Sequence, residues 1–165
     1  MEKEDLKQSF TVLIDRHRRI IYKICYLYAD NEADRQDLYQ EILFRVWQAY
    51  PKFRGDAKFS TWLYQVALNT AFANIREHKR SVITHTADGL LPDTNYEAAD
   101  DTETEQLALL HRAISQLNEI ERAVVVLYLE NKTYDEMESI IGIPNGALRV
   151  KMTRIKEKLK KLTKN

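Results

Sequence analysis

One cysteine, four glycines, three prolines and no net charge are what the sequence has little of. The lone Cys25 excludes an intramolecular disulfide, and without a Cys-x-x-Cys pair the usual zinc ligand set is missing. Set among Ile21, Ile24 and Tyr28, it reads as a core side chain. Few Gly and Pro mean few tight turns, and no stretch alternates apolar and polar residues between turn signals, so the fold class is all-α. His17, His78, His85 and His111 have no ligand spacing, and neither Glu-x-x-His nor His-Glu-x-x-His occurs, which leaves no helical metal centre to expect and no cofactor. The amino-terminal MEKEDLKQSF lacks an apolar signal core. The longest apolar run, IIYKICYLYA, is broken by Lys23 well short of a membrane span, so a cytoplasmic protein is expected.

The balance of 25 Lys and Arg against 25 Asp and Glu hides a segregation along the chain. Residues 1–80 carry 14 basic against 11 acidic side chains, 81–136 carry 3 against 12, and 137–165 carry 8 against 2. The three segments stand at +3, −9 and +6, which points to separate surfaces with separate partners. At 165 residues there is room for one ordinary domain or two small ones. Two are favoured by VITHTADGLLPDTNYEAADDTETE, with seven acidic residues and no Lys or Arg. That composition builds no core and reads as a flexible linker over 81–104, between helical domains at 5–80 and 105–163.

In the first domain Leu6, Phe10, Leu13, Ile14, Ile20, Ile21, Ile24 and Leu27 recur at helical spacing from Asp5 to Tyr28. They make one long helix or two abutting ones, with an interruption near Asp15 to Arg19. Asp30 or Asn31 caps a second helix that runs to Tyr50 and is stopped by Pro51; a third starts near Asp56 or Ala57 and ends at about Lys79. Beyond the linker, helices are expected over 105–116, 119–130, 134–141 and 145–162. Thr133 and Glu136 have capping-box spacing.

On the last helix Leu148, Met152, Ile155, Leu159 and Leu162 form one apolar stripe, leaving Asn145, Arg149, Lys151, Arg154, Lys156 and Lys158 outward. Gly142 can take positive φ to end the preceding helix, and Pro144 sets the entry to the next. Two short helices joined this way, with the positive charge on the second, have the geometry of a helix-turn-helix. Its second helix fits a major groove with its early residues at base edges, and the Lys and Arg toward its end meet phosphates. A solvated basic helix in an ordinary bundle is the competing reading, and it leaves the compact turn and the cap unexplained.

The second helix places Leu38, Tyr39, Ile42, Leu43, Val46 and Ala49 on a core face and Asp37, Gln40, Glu41, Phe44 and Gln48 opposite. Phe44 amid carboxylates and amides is either an anchor for a protein partner or a single exposed aromatic. In FRGDAKFSTWLYQVALNTAFANIREHKR, Arg54, Lys58, Arg76, Lys79 and Arg80 are interleaved with Phe53, Phe59, Trp62, Tyr64 and Phe72. Such interleaving suits single-stranded nucleic acid, whose phosphates take cations while its bases stack on rings. Trp62 shares a wheel face with Val66 and Ala73 and is expected in the core. Tyr64, Leu68 and Phe72 lie opposite, for packing or for bases.

Three blocks together resemble the RNA polymerase sigma factors, in the extracytoplasmic-function (ECF) branch of the sigma-70 family. Asp37-Leu38 with Gln40-Glu41 and Trp47 is similar to the family's polymerase-binding helix, FRGDAKFSTWLYQVALN to its promoter-melting block, and YDEMESIIGIPNGALRVKMTRIKEKL to its terminal helix-turn-helix. The resemblance implies a bacterial initiation subunit with no reaction of its own. Asp37, Gln40, Glu41, Phe44, Arg45 and Gln48 would meet the coiled coil of the core RNA polymerase β′ subunit, with the β flap as a further contact. Phe53, Arg54, Asp56, Lys58, Phe59, Ser60, Thr61 and Tyr64 would bind the unwound minus-ten strand, with Asn69, Arg76, Lys79 and Arg80 on flanking DNA. Thr133, Asn145, Gly146, Arg149, Lys151, Arg154 and Lys158 would meet the minus-thirty-five element as duplex promoter DNA. The acidic linker would thread toward the polymerase active site, and an anti-sigma factor, in this branch often membrane-bound, would hold the protein inactive. Glu138 stands where the family often has Ala, and Asn145, Ala147 and Val150 replace the commoner Val, Thr and Ser, so the resemblance implies no particular promoter sequence.

Overall fold

The computed structural model describes the backbone of residues 2–84 and 102–164 and the side chains of 2–77 and 105–164. The chain divides into two compact units, Met1–Asp93 and Thr94–Asn165. The first holds α1 (Glu2–Tyr28), α2 (Glu32–Ala49) and α3 (Phe59–Thr84); the second holds α4 (Thr102–Ser115), α5 (Glu119–Leu129), α6 (Tyr134–Ile141) and α7 (Asn145–Thr163). Among the described residues there is no strand. Helix occupies 81–84 and 102–104, at both ends of the stretch expected as linker; the remainder of that stretch lies outside the described residues.

In the first unit each helix packs on the other two. Ile21 and Ile24 of α1, Leu38, Ile42 and Val46 of α2, and Leu63, Ala67, Leu68 and Ala71 of α3 are buried in the shared core, each Leu or Ile worth about 1.5–3 kcal/mol of apolar burial. At His17 a φ of −115° and a ψ of 16° bend α1, inside the expected interruption. The imidazole compensates for the break by donating from Nδ1 to the Leu13 carbonyl at 2.9 Å. Asn31 caps α2, its side-chain oxygen accepting from the Asp34 N–H at 2.8 Å.

In the second unit α7 packs on the other three helices, and much of the core comes from α5, whose Ala123, Val124, Val125, Val126 and Leu127 are all buried. The start of α5 is held by a capping box between Asn118 and Glu121, a spacing as readable as that of Thr133 and Glu136, which caps α6. Gly142 ends α6 at φ 84° and its N–H donates to the Glu138 carbonyl at 2.8 Å, a left-handed position at which a side chain would be strained. α7 then lays Leu148, Met152 and Ile155 into the core, with Leu159 and Leu162 half-buried beyond them. Glu138 is exposed, so its replacement of a small residue disturbs no packing.

Candidate nucleic-acid interface

Pro51 stops α2 in a 3-10 turn, Tyr50–Lys52, and the Phe53 N–H donates back to the Tyr50 carbonyl at 3.0 Å. Gly55, at φ 78°, reverses the chain toward α3. The loop so made brings three rings together. Phe53 lies 5.8 Å from Phe59 and 4.9 Å from Trp62, and Phe59 lies 5.6 Å from Trp62, centroid to centroid. All three are half-buried, while Arg54, Asp56 and Lys58 around them are exposed. Rings with an open face beside cations can stack unpaired bases and hold their phosphates.

Two expected strand-binding residues are not part of that surface. Tyr64 is 1% exposed and Thr61 is also buried, because the inner face of α3 is the one that carries Leu63, Tyr64, Ala67, Leu68 and Ala71. Both side chains are buried within the unit and stand apart from the exposed cations of the loop. Conversely Trp62, expected in the core, is half-buried on the outer side with Val66 and Ala73. Ser60 and Phe72 are half-buried, and Asn69 and Arg76 are exposed further along α3. Lys79 and Arg80 lie on α3, with side chains outside the described residues.

At the start of α7 four side chains form a chain of contacts. Asn145 donates from Nδ2 to Asp135 Oδ1 at 2.7 Å and accepts at Oδ1 from Arg149 Nε at 2.8 Å. The Arg149 guanidinium lies 4.8 Å from the centre of the Tyr134 ring. With Nε engaged and the plane resting on a ring, the two terminal nitrogens of Arg149 form the fork that a guanine edge accepts. The amide of Asn145 is thus bonded at both ends and serves to orient Arg149. Sequence spacing could not reveal Asp135 and Tyr134 as members, since they come from the preceding helix. Thr133 is engaged in its cap: its Oγ1 accepts from the Glu136 N–H at 3.1 Å. Gly146 and Arg154 are exposed and Lys151 is half-buried. Lys158, expected on the DNA face, meets Glu121 at 3.3 Å, and Lys156 meets the Tyr128 hydroxyl at 3.2 Å. Lys156 and Lys158 therefore both contact α5.

On α2, Asp37, Gln40, Glu41, Phe44, Arg45 and Gln48 are all exposed, on the side away from Leu38, Ile42 and Val46. Arg45 donates from Nε to Glu41 Oε1 at 3.0 Å. Phe44 is 57% exposed, while Trp47 beside it leans on Phe10 with ring centres 4.9 Å apart. Among the described residues no group of three or more His, Cys, Asp or Glu is placed to hold a metal ion, and no helix is long and apolar enough to cross a membrane.

A ring cluster beside cations on one unit and a helix-turn-helix on the other are features of a nucleic-acid-binding protein of two parts. The model of sigma-70 region 2 matches residues 13–81 and that of sigma-70 region 4 matches residues 107–159. The chain belongs to the sigma-70 family of RNA polymerase sigma factors, in its ECF group. It is 28% identical to the ECF RNA polymerase sigma factor SigW of Bacillus subtilis, over 94% of this chain and 89% of that one. It is 26% identical to the RNA polymerase sigma-H factor of Pseudomonas aeruginosa (94% and 86% covered) and 27% identical to the ECF sigma-E factor of Escherichia coli K12 (95% and 87%). Among solved structures, the sigma factor RpoE in complex with the anti-sigma factor NepR from Bartonella quintana has a similar fold, with a TM-score of 0.72 at 18% identity over 98% of both chains. CnrH in complex with the cytosolic domain of CnrY follows, with a TM-score of 0.66 at 20% identity over 94% of this chain and 88% of that one.

Proposed function

We propose that the chain is a non-enzymatic initiation subunit that docks on core RNA polymerase through the exposed side of α2 and grips a promoter at two places. The observation that carries this reading is the convergence of Phe53, Phe59 and Trp62 on an outer surface flanked by Arg54 and Lys58. Unpairing and unstacking a base costs a few kcal/mol, and ring stacking returns about 1–3 kcal/mol per base, so the cluster favours the opened strand over the duplex. The minus-ten strand then lies on these rings and on Asp56 and Ser60, with Asn69, Arg76, Lys79 and Arg80 toward the flanking duplex. Arg149, oriented by Asn145, reads a base pair of the minus-thirty-five element, and Gly146, Lys151 and Arg154 face the same groove.

Two structural neighbours were solved with anti-sigma partners, which supports a partner of that kind for this chain too, membrane-bound or free, competing with polymerase for α2. The acidic stretch 81–104 is proposed to thread into polymerase, its charge keeping it off the template strand. The whole reading is tested by run-off transcription on genomic fragments with purified core polymerase and this chain. Defined start sites that need the chain are expected; absence of both polymerase binding and redirected initiation refutes it. Specific footprinting of duplex DNA without polymerase would favour a helix-turn-helix repressor instead.

A further inference from the structure

The partners of Asn145 dictate which way its amide faces. Asp135, in the first turn of α6, is a carboxylate and only accepts, whereas Arg149 only donates. The amide lies between them, its Nδ2 at 2.7 Å from Asp135 Oδ1 and its Oδ1 at 2.8 Å from Arg149 Nε. Reversing it would set NH2 against the guanidinium and oxygen against the carboxylate, and both bonds would be lost. Asp135 and Arg149 are exposed and Asn145 is half-buried, so the arrangement stands at the surface formed by the start of α7. Because the guanidinium also rests 4.8 Å from the centre of the Tyr134 ring, two consecutive residues of α6 control a side chain of the next helix.

We propose that Asp135 is a positioning residue that sets base preference: by holding the Asn145 amide in one direction it commits Asn145 to Arg149 and keeps it from reading a base itself. The inference rests on the proposed minus-thirty-five role of α7 and deepens it. A free Asn pairs with adenine through its amide oxygen and nitrogen together, and here both are engaged. Arg149, with Nε occupied, offers its terminal nitrogens to guanine O6 and N7. The pair therefore reads guanine, where an unrestrained Asn beside an Arg would accept adenine as well. Asp135 also places a negative charge on a surface that faces phosphates, which weakens binding to every sequence alike. A carboxylate there thus favours discrimination over affinity.

The experiment selects promoters from a library randomised over the minus-thirty-five element, with core polymerase and the wild-type chain, Asp135→Asn, Asn145→Ala or the double variant. Circular dichroism melts accompany each chain. Asn at position 135 keeps the size of Asp and a hydrogen bond to Asn145, but it imposes no direction, since an amide both donates and accepts. The wild type is expected to select guanine at one position. Asp135→Asn should lower the preference for guanine over adenine there about five-fold, the lower end of what one bidentate base contact is worth, while binding to non-cognate DNA tightens at low salt. In the Asn145→Ala background, Asp135→Asn should leave the base preference where it was, because Asp135 acts through that amide; a merely structural role would not depend on it. A base preference that Asp135→Asn does not move overturns the proposal, as does an equal fall in both backgrounds. A loss spread evenly over all positions, with a lowered melting temperature, overturns it too and makes Asp135 a structural residue of α6. If the wild-type chain directs no initiation at all, the functional reading itself has failed, and the proposal with it.

Discussion

Phe44→Ala separates binding from folding. The ring is 57% exposed, so of the roughly 200 Å2 that a Phe can bury, a partner covering it removes about 100 Å2 from water. At about 25 cal/mol per Å2 this is worth about 2.5 kcal/mol, or about a seventy-fold rise in Kd for core polymerase. The neighbouring Glu41–Arg45 pair, at 3.0 Å and half-exposed at both ends, contributes only about 0.3–0.5 kcal/mol to the helix itself, so the ring outweighs it. The exposure that makes the ring available also means that its removal opens no cavity, and folding stability should move by less than about 0.5 kcal/mol. Labelled wild-type and variant chains are titrated with core polymerase by anisotropy, and each is melted by circular dichroism. A Kd within three-fold of wild type, with an intact melt, would show that this side of α2 is not the polymerase surface. A lowered melting temperature would show instead that the ring packs within the unit, against its 57% exposure.

Three other expectations are independent of that one. Arg149→Ala should cost about 1–3 kcal/mol of discrimination at one base pair of the minus-thirty-five element, whereas Asn145→Ala should weaken the same discrimination less, because Arg149 remains but loses its orienting bond; promoter-library selection with core polymerase reads both. Trp62→Ala should reduce permanganate reactivity of minus-ten thymines about ten-fold, from loss of one stacking face, with polymerase affinity unchanged. Burial pushes the Cys25 thiol up from its ordinary 9.0 to about 12, so the folded chain holds it protonated. Alkylation at pH 8 should therefore track the unfolded fraction in a urea series. The sign of the linkage is that this thiol stabilises the fold below about pH 9 and loses that contribution as pH rises toward 12; Cys25→Ala should lose less of its urea midpoint between pH 8 and 10.5 than wild type does.

Most helix limits were legible because local chemistry decides them. Asn31, Pro51, Gly142 and the Thr133–Glu136 pair act within a few residues of themselves, and the structure has each in its expected role. The start of α3 was less legible: the loop continues through Lys58 and the helix begins at Phe59, because Gly55 at positive φ needs several residues to turn the chain. The kink at His17 was visible as a break in apolar period, but its consequence was not. The bend places the imidazole 5.1 Å from Phe59, a long-range contact that no spacing along α1 encodes.

The face of α3 shows why the candidate site was read only in part. Both sides of that helix carry aromatics, so a wheel separates Trp62 from Tyr64 without saying which is inside. What decides is the size of the company each keeps. Ala67 and Ala71, on the side of Tyr64, let α1 and α2 approach closely, and there Leu63, Tyr64 and Leu68 fill the remaining space; a second large ring there would overpack the core. Trp62 is left outside, where Phe53 and Phe59 can reach it only because the Gly55 loop brings Phe53 back. The same small residues that build the core thus leave the ring cluster on the outer side, and Trp62, which periodicity alone had assigned to the interior, is half-buried there.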